Sequence, residues 1–307
     1  MNTTPVTSKP RLHDWLMSDR PASRRQAAWG RAYGAWRVFM RNRLAMLGLG
    51  IVLALILVAI FAPLLAPYSP TVGDLRTTRL LPPSGPFWLG TDDQGRDILS
   101  RLIHGSRITL FVVVLVAVLA APIGLLVGTV AGYAGGLVDA ALMRITDIFL
   151  AFPRLILALA FVAALGPGLG HAVVAIALTA WPPIARLARA ETLSLRHADY
   201  VVAAQLQGAS STRILLRYIT PMLMSSVVVR LTMNMASVIL TAAGLGFLGL
   251  GAQPPLPEWG AMISSGRRYM IECWWLVAAP GAAIMLVSLA FNLLGDGLRD
   301  VLDPRSE

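Results

Sequence analysis

The sequence carries unusually little charge. Of its 307 residues, 14% are charged and 56% are hydrophobic, and the mean hydropathy is +0.67. An ordinary water-soluble domain has about a quarter of its residues charged. So few charged side chains cannot cover the surface of a water-soluble fold, and so apolar a chain does not stay disordered. The composition therefore favours a protein that crosses a membrane several times.

Residues that commonly bind metals, form disulfides or perform catalysis are also scarce. Cys273 is the single cysteine, which excludes an intrachain disulfide, and the four histidines show no ligand spacing. The sequence contains no G-x-x-x-x-G-K-[ST] phosphate loop, no H-E-x-x-H and no G-x-S-x-G motif. We therefore expect this chain to hold no catalytic residues, no metal and no cofactor of its own.

Long apolar runs are abundant by contrast. A helix needs about 20 apolar residues to cross a bilayer, and six stretches come close to that length or exceed it. The sequence therefore predicts an all-α polytopic membrane protein with six transmembrane helices. They are predicted at about 44–68, 109–133, 143–165, 171–190, 222–250 and 274–294. No carboxylate lies deep in these stretches, whereas carriers driven by ion gradients often place one there.

The basic residues are unevenly distributed among the predicted loops. The formal net charge is +10 and the isoelectric point is near 10.9, values that would also suit nucleic-acid binding. However, sixteen basic residues fall on the side of the two termini and seven on the other side. Because basic residues accumulate in cytoplasmic loops, we place both termini in the cytoplasm and expect no nucleic-acid partner.

Residues 1–43 form a separate cytoplasmic segment before the six-span domain at 44–307. A secretory signal would place its apolar core within the first ~30 residues, but the first apolar run starts at Leu44. Within residues 28–43, four large side chains share one helical face: Trp29, Tyr33, Trp36 and Met40. This pattern predicts an amphipathic helix lying in the membrane interface. The alternative is a simple basic stretch beside the membrane.

The segment 199–221, between the fourth and fifth spans, has a regular design. A short helix is predicted over 200–207, and Gly208 suits the left-handed position that ends it. A serine at position 210 or 211 can cap a second helix, which Pro221 is expected to end before the fifth span. The sequence therefore predicts a helix, a turn and a helix, and the alternative is an ordinary polar connector.

Two small residues, Ala203 and Ala204, give the first of these helices a smooth face that could enter a groove on a partner. In its spacing, the segment resembles the EAA loop of permease subunits in ATP-binding-cassette (ABC) importers, although Val202 stands at the glutamate position. The resemblance implies coupling to an ATPase through Ala203, Ala204, Gly208, Ala209, Ile219 and Pro221. Since the glutamate charge is missing, we expect docking to depend mainly on shape and apolar contact.

Further segments narrow the family. The opening residues 39–48 resemble the second, C-type permease of dipeptide, oligopeptide and nickel importers. Four other segments are similar to such permeases: 89–107, 147–153, 244–251 and 257–260. The resemblance covers about residues 30–305, with its motifs in the same order.

This resemblance implies a type I ABC importer permease fold in the plasma (inner) membrane. The expected partners are a second related permease, two ATPase subunits that bind ATP and Mg, an extracytoplasmic binding protein and membrane lipid. The chain would form half of a pore that alternates between outward-open and inward-open states. Short peptides are the first expected cargo, and nickel or a metal chelate is the alternative. Two rivals from other classes are a carrier driven by an ion gradient and a membrane-embedded enzyme.

Three of the arginines within the predicted spans are of particular interest. Arg144 is one turn from Asp147, and we expect these two residues to pair near the cytoplasmic surface. Arg154 follows Pro153 in the third span, and Arg230 lies roughly two turns into the fifth. A buried arginine usually faces a cavity or a partner. Both are therefore candidates to line the pore and meet a peptide carboxylate, and the alternative is a structural contact with carbonyls or with the second permease.

Two patterns predict packing. A glycine face along the second span permits either close helix packing or a sliding surface for gating, and it consists of Gly124, Gly128, Gly132 and Gly136. Thr91 and Gln94 have the spacing of a capping box, which predicts a helix that begins there and pairs Asp97 with Arg101.

Overall fold

The protein is built from helices and the turns that join them. The computed structural model describes residue 15 and residues 23–302, and within these ranges it contains no strand. The helices are α1 (Arg24–Arg41), α2 (Arg43–Ile60), α3 (Ala62–Leu65), α4 (Ile98–Ala134), α5 (Gly136–Ala151), α6 (Arg154–Leu165), α7 (Leu169–Ala180), α8 (Pro182–Leu195), α9 (Asp199–Leu206), α10 (Ser211–Ile214), α11 (Thr220–Phe247), α12 (Trp259–Gly266) and α13 (Trp275–Leu302). A π-turn at Leu215–Ile219 joins α10 to α11, and a 3₁₀ turn at Arg267–Tyr269 follows α12.

Five helical stretches in the described part of the chain are long and apolar enough to cross a membrane. They are α2, α4, the combined α7–α8 stretch Leu169–Leu195, the combined α10–α11 stretch Ser211–Phe247, and α13. The all-α membrane architecture is therefore confirmed. The second span extends further than predicted, because α4 starts at Ile98 instead of near residue 109.

The predicted third span is bent. Its two halves, α5 and α6, meet at an angle of 96°, so the pair forms either a broken span or a re-entrant loop. The cause is local, because Pro153 bars the preceding residue from helical geometry and Phe152 is extended, with φ −94° and ψ 142°. The span predicted over 143–165 thus consists of two helices, and the described part of the chain has up to six spans if the pair counts as one.

The close approach of α4 to α8 occurs at the predicted glycine face. An added Cβ on Gly124 would lie 2.6 Å from the Cβ of Ile184, and one on Gly132 would lie 2.8 Å from the Cβ of Thr192. At Gly128, the added atom would overlap the Ala185 carbonyl oxygen. Close packing is therefore confirmed at these three glycines. Gly136 belongs instead to the turn that starts α5, with φ +53° and open space around it.

The N-terminal helix α1 packs one edge against the last helix. Phe39 is buried, stacks on Trp36 with ring centroids 5.8 Å apart, and lies close to Gly297 of α13. Trp29 and Trp36 are 65% and 45% exposed. A helix over most of residues 28–43 is thus confirmed, although it begins earlier, at Arg24. Its location in the membrane interface stays a prediction.

The end of the bundle opposite α9 is closed by α12 and by the loop before α4. Between α11 and α13, the indole nitrogen of Trp259 in α12 donates to the Leu102 carbonyl at 3.2 Å, and it lies directly over Gly105. The loop is held by the Thr91 hydroxyl, which accepts from the Leu81 amide at 2.8 Å. The two ends of the bundle are therefore built from different parts of the sequence.

We expect Gly128→Ala to lower the unfolding temperature in detergent. The added methyl group would overlap the Ala185 carbonyl oxygen and lie 2.7 Å from the Ala188 Cβ, and such overpacking costs about 1–3 kcal/mol. Gly50→Ala in α2 is the matched control, because nothing lies within 4 Å of a Cβ built there. Equal shifts for the two variants would contradict the close contact between α4 and α8.

Candidate functional site

The segment 199–221 adopts the predicted helix, turn and helix. The helix α9 ends in a left-handed residue, Gly208, whose φ is +80°. The amide of Gly208 bonds the Gln205 carbonyl at 2.9 Å, and that of Ala209 bonds the Ala204 carbonyl at 3.0 Å, which is the hydrogen-bond pattern of a Schellman cap. Ser210 then caps α10 by accepting from the Arg213 amide.

Pro221 does not end the second helix as predicted. It lies in the first turn of α11, inside a continuous helical stretch from Ser211 to Phe247. Proline lacks the amide hydrogen that a helix interior needs and its ring crowds the preceding turn. The five residues before Thr220 widen into the π-turn, which accommodates the proline without breaking the helix. The segment is therefore directly continuous with a membrane-spanning helix.

The two alanines of α9 face different directions, which corrects the expected smooth face made by both. Ala204 is 5% exposed and packs inward, whereas Ala203 is exposed. Val202 and Leu206 are 39% and 85% exposed and lie one turn apart beside Ala203. We call Val202, Ala203 and Leu206 the α9 apolar face. Because valine occupies the glutamate position, this face presents no charge.

The residues after the turn anchor the segment in the bundle. Ile214 and Ile219 are almost fully buried, and both belong to the main hydrophobic core. Their spacing of five places them on one side because the π-turn is wider than an α-helix. Of the residues assigned to coupling, Ile219 and Ala204 are therefore anchors within the chain, Ala209 is partly buried, and Ala203, Gly208 and Pro221 are exposed.

Two ion pairs connect α8, which leads into this segment, to α5. Arg189 donates to Asp139 at 2.6 Å, and Arg186 donates to Asp147 at 2.6 Å. The predicted pair of Arg144 with Asp147 is wrong, because Arg186 from a distant part of the sequence takes the carboxylate instead. These ion pairs therefore join α8 to the first half of the bent pair.

The second half of the bent pair is held by α11. Arg154 at the start of α6 donates to the Asn234 amide oxygen at 2.7 Å, and the Asn234 amide donates to the Ala180 carbonyl at 3.4 Å. Arg230 lies one turn before Asn234 on α11, near enough to Arg154 for the two positive charges to repel. The structure thus brings together the two arginines selected from the sequence. Arg154 is half-buried with a partner in this chain, and Arg230 is exposed.

Arg230 lines a cavity of about 730 Å³ between α8, α11 and α13. Glu191 of α8 and Arg299 of α13 also line it. Sequence reasoning missed both residues, because they lie far from Arg230 in the chain and at the ends of helices, where charge is common. The cavity lies on the side of the bundle that carries the segment 199–221.

At the opposite end, the predicted capping box is not formed. Asp97 caps α4 instead, accepting from the Ser100 amide at 2.8 Å. Arg101 lies 3.6 Å from Asp92 and does not pair with Asp97, and Asp92 also accepts from the Arg96 side chain at 2.7 Å. These contacts are mostly buried, and they fix the preceding loop on the end of α4.

Glu258 is a third residue that sequence reasoning did not single out, although it lies in the segment 257–260. Its carboxylate caps α12 by accepting from the amides of Gly260 and Ala261, each at 2.8 Å. It lies directly against Gly246, where any larger side chain would overlap it. Burial raises the pKa of Glu258 to about 7, although the two amides oppose this effect. The signal in the sequence was a lone acid following the glycine-rich stretch 244–251.

Comparison with known sequences identifies the family. The profile described as "Binding-protein-dependent transport system inner membrane component" matches residues 124–307. The chain belongs to this family. A second profile, the N-terminal transmembrane domain of oligopeptide transport permease C, matches residues 31–83 of this permease. The prediction of a C-type permease is thereby confirmed.

Individual relatives agree with this assignment. The permease is 45% identical over 276 residues to the di/tripeptide transport system permease protein DppC of Pseudomonas aeruginosa, covering 88% of this chain and 91% of the relative. It is 45% identical over 271 residues to the dipeptide transport system permease protein DppC of Alkalihalophilus pseudofirmus, covering 88% and 89% of the two chains.

A solved structure confirms the fold. The match is to the MetNI methionine ABC transporter in an inward-facing conformation, with a TM-score of 0.54, 20% identity, and coverage of 66% of this chain and 97% of that one. The protein is therefore an ABC importer permease subunit of type I fold and a multi-pass inner membrane protein. Its family works with ATPase and substrate-binding partners.

We expect the stability of the wild type to fall as pH rises from about 4.5 to about 7. In the unfolded chain this carboxyl ionises above pH 4.5, whereas in the folded protein Glu258 has a pKa of about 7 and stays protonated across that window. The free energy of unfolding therefore falls by about 3 kcal/mol over the window and becomes level above pH 7. Glu258→Gln cannot ionise, although losing one of the two amide bonds costs it about 1 kcal/mol. The difference in unfolding temperature should therefore favour the wild type at pH 5 and shrink or reverse at pH 8. Parallel pH curves for the two proteins would contradict the raised pKa.

Proposed function

We propose that this permease forms half of the pore of an importer for short peptides. The observation that carries the proposal is the 45% identity, over 88% of this chain, to a permease named for di- and tripeptide transport. A second relative of equal identity is named for dipeptide transport. Two independent relatives that share one cargo class favour that class for this chain.

The α9 apolar face is the proposed docking surface for an ATPase subunit. Its residues are exposed although they are apolar, and Leu206 is 85% exposed at the tip of the bundle. An exposed apolar surface of this kind suits insertion into a groove on a partner. The ATPase subunits would bind ATP and Mg, and this chain would hold no cofactor and catalyse no covalent step. In this arrangement, α9 and both termini lie in the cytoplasm.

The mechanism is alternating access driven by closure of the ATPase subunits. A displacement of α9 reaches α11 through the continuous helix from Ser211 to Phe247, and it reaches α5 through the ion pairs of α8. Both movements converge on the bend between α5 and α6. The pore exists in an outward-open and an inward-open state, and nucleotide and the binding protein change the relative populations of these two states.

The remaining partners follow from the same proposal. A second, homologous permease would complete the pore, and an extracytoplasmic binding protein would dock at the end of the bundle formed by α12 and the loop before α4. The helix α1 of the segment 1–43 would lie along the cytoplasmic surface, and the domain 44–307 would carry transport. Most of residues 1–22 lies outside the described residues. The exposed tryptophans of α1 support contact of this segment with lipid.

The decisive experiment is purification of the tagged chain from its membranes, followed by transport in proteoliposomes. We expect a second permease and two ATPase subunits to co-purify. With the binding protein added outside, the reconstituted complex should take up di- and tripeptides only when ATP is inside. Uptake by this chain alone, driven by an ion gradient, would contradict the proposal and favour a secondary carrier.

We expect Leu206→Asp to weaken retention of the ATPase subunits about tenfold or more, because a charge would enter an apolar groove and each 1.4 kcal/mol lost corresponds to a factor of ten. Retention is measured by the ratio of subunits after purification, and coupling by peptide-stimulated ATP hydrolysis. Gln207→Asp is the matched control, since Gln207 is exposed next to the face but is not part of it. Equal loss in both variants would show that the face does not dock the ATPase.

A further inference from the structure

The cavity between α8, α11 and α13 combines charges of both signs with apolar walls. Its volume of about 730 Å³ lies within the range of small-molecule sites. Glu191, Arg230 and Arg299 contribute the charges, and Ser194 and Ser226 contribute hydroxyl groups. The rest of its lining is apolar: Leu187, Leu195, Met222, Val229, Met233 and Leu302.

The three charged side chains share the cavity without pairing. Within the part of the chain that the structure describes, Glu191 makes no ion pair with Arg230 or Arg299 and no hydrogen bond. By contrast, the acids Asp139 and Asp147 of α5 pair with arginines of α8. Opposite charges held apart across a cavity leave room for a molecule that carries both charges.

The surroundings of Arg230 add an excess of positive charge. Arg154 of α6 is close enough to repel it, and the guanidinium of Arg154 already donates to Asn234. Arg230 is also about 15 Å along α11 from Thr220, at 1.5 Å per residue. An arginine at such a position inside a span normally faces a cavity or meets an anion. The structure therefore offers an anion site at Arg230 and a cation site at Glu191.

We infer that this cavity is a transit site that recognises the two charged ends of a short peptide. The peptide carboxylate would bind Arg230 with Arg299, and its ammonium group would bind Glu191. The side chains of the peptide would lie against the apolar wall. This inference rests on the proposed function and adds the residues that recognise the transported peptide. Because Arg230 and Arg299 are exposed and Glu191 is partly exposed, each ion pair contributes little, and the peptide is held weakly enough to leave.

The test measures binding of radiolabelled alanyl-alanine to the co-purified complex without nucleotide and without the binding protein. The complex is placed in nanodiscs of phosphatidylcholine, which carries no net charge. We expect Arg230→Gln and Glu191→Gln each to weaken binding about fivefold, the size of effect that one partly exposed ion pair gives. Arg230→Lys should retain most of the affinity. Arg268→Gln, at the opposite end of the bundle, should be silent.

Blocked peptides assign each end to its residue. The C-terminal amide of the dipeptide lacks the carboxylate, so Arg230→Gln should not weaken its binding further, whereas Glu191→Gln should. The N-acetyl dipeptide lacks the ammonium group, so the pattern should be reversed. Such non-additive losses are expected only for groups in direct interaction. Binding of the blocked peptides to the wild type alone already measures what each charged end contributes, so the test does not depend on every variant folding.

The outcomes separate this inference from the proposed function. If the wild-type complex with its binding protein takes up no peptide, the proposed function is wrong. If it takes up peptides but the variants bind all three peptide forms as the wild type does, the cavity inference is wrong. The inference also fails if Arg230→Gln changes only the binding of inorganic phosphate or of phosphatidylglycerol added to the nanodiscs.

Discussion

The close backbone approach of α4 and α8 is the constraint on which the rest of the structure depends. Three glycines of α4 lie where any larger residue would collide with Ile184, Ala185 or Thr192. With α8 seated this deeply, its arginines reach the acids of α5 and its end leads into α9. No hydrophobic force drives helices together in lipid, so such packing relies on small residues. A wider spacing between α4 and α8 would displace the ion pairs, the cavity and the segment 199–221 together.

The elements that follow local rules were predictable from the sequence. Apolar length located the spans, and Gly208 followed by serines located the turn between α9 and α10 because left-handed geometry and capping are properties of a few neighbouring residues. The family resemblance placed the remaining motifs. The glycine face was also recognisable, since a spacing of four residues places every glycine on the same side of a helix.

What could not be predicted depends on residues that are distant in the chain. Arg144 is one turn from Asp147 on the same helix, but the packing of α8 on α5 brings Arg186 to this carboxylate instead. Pro221 carries the ordinary signal for a helix end, but the π-turn before it retains the helix. Glu191, Arg230 and Arg299 share a cavity only because three helices meet there. The burial of Glu258 likewise depends on the fit of α12 against α11.

The bend between α5 and α6 has a mechanical consequence. Its first half is tied to α8 by two ion pairs, and its second half is tied to α11 by Arg154 and Asn234. If α8 and α11 shift relative to each other, the two halves of the bent pair are drawn in different directions. Phe152 and Pro153 lie at the bend between them, so such a shift would change the angle of the bend. The bent pair would then convert sliding between two helices into rotation.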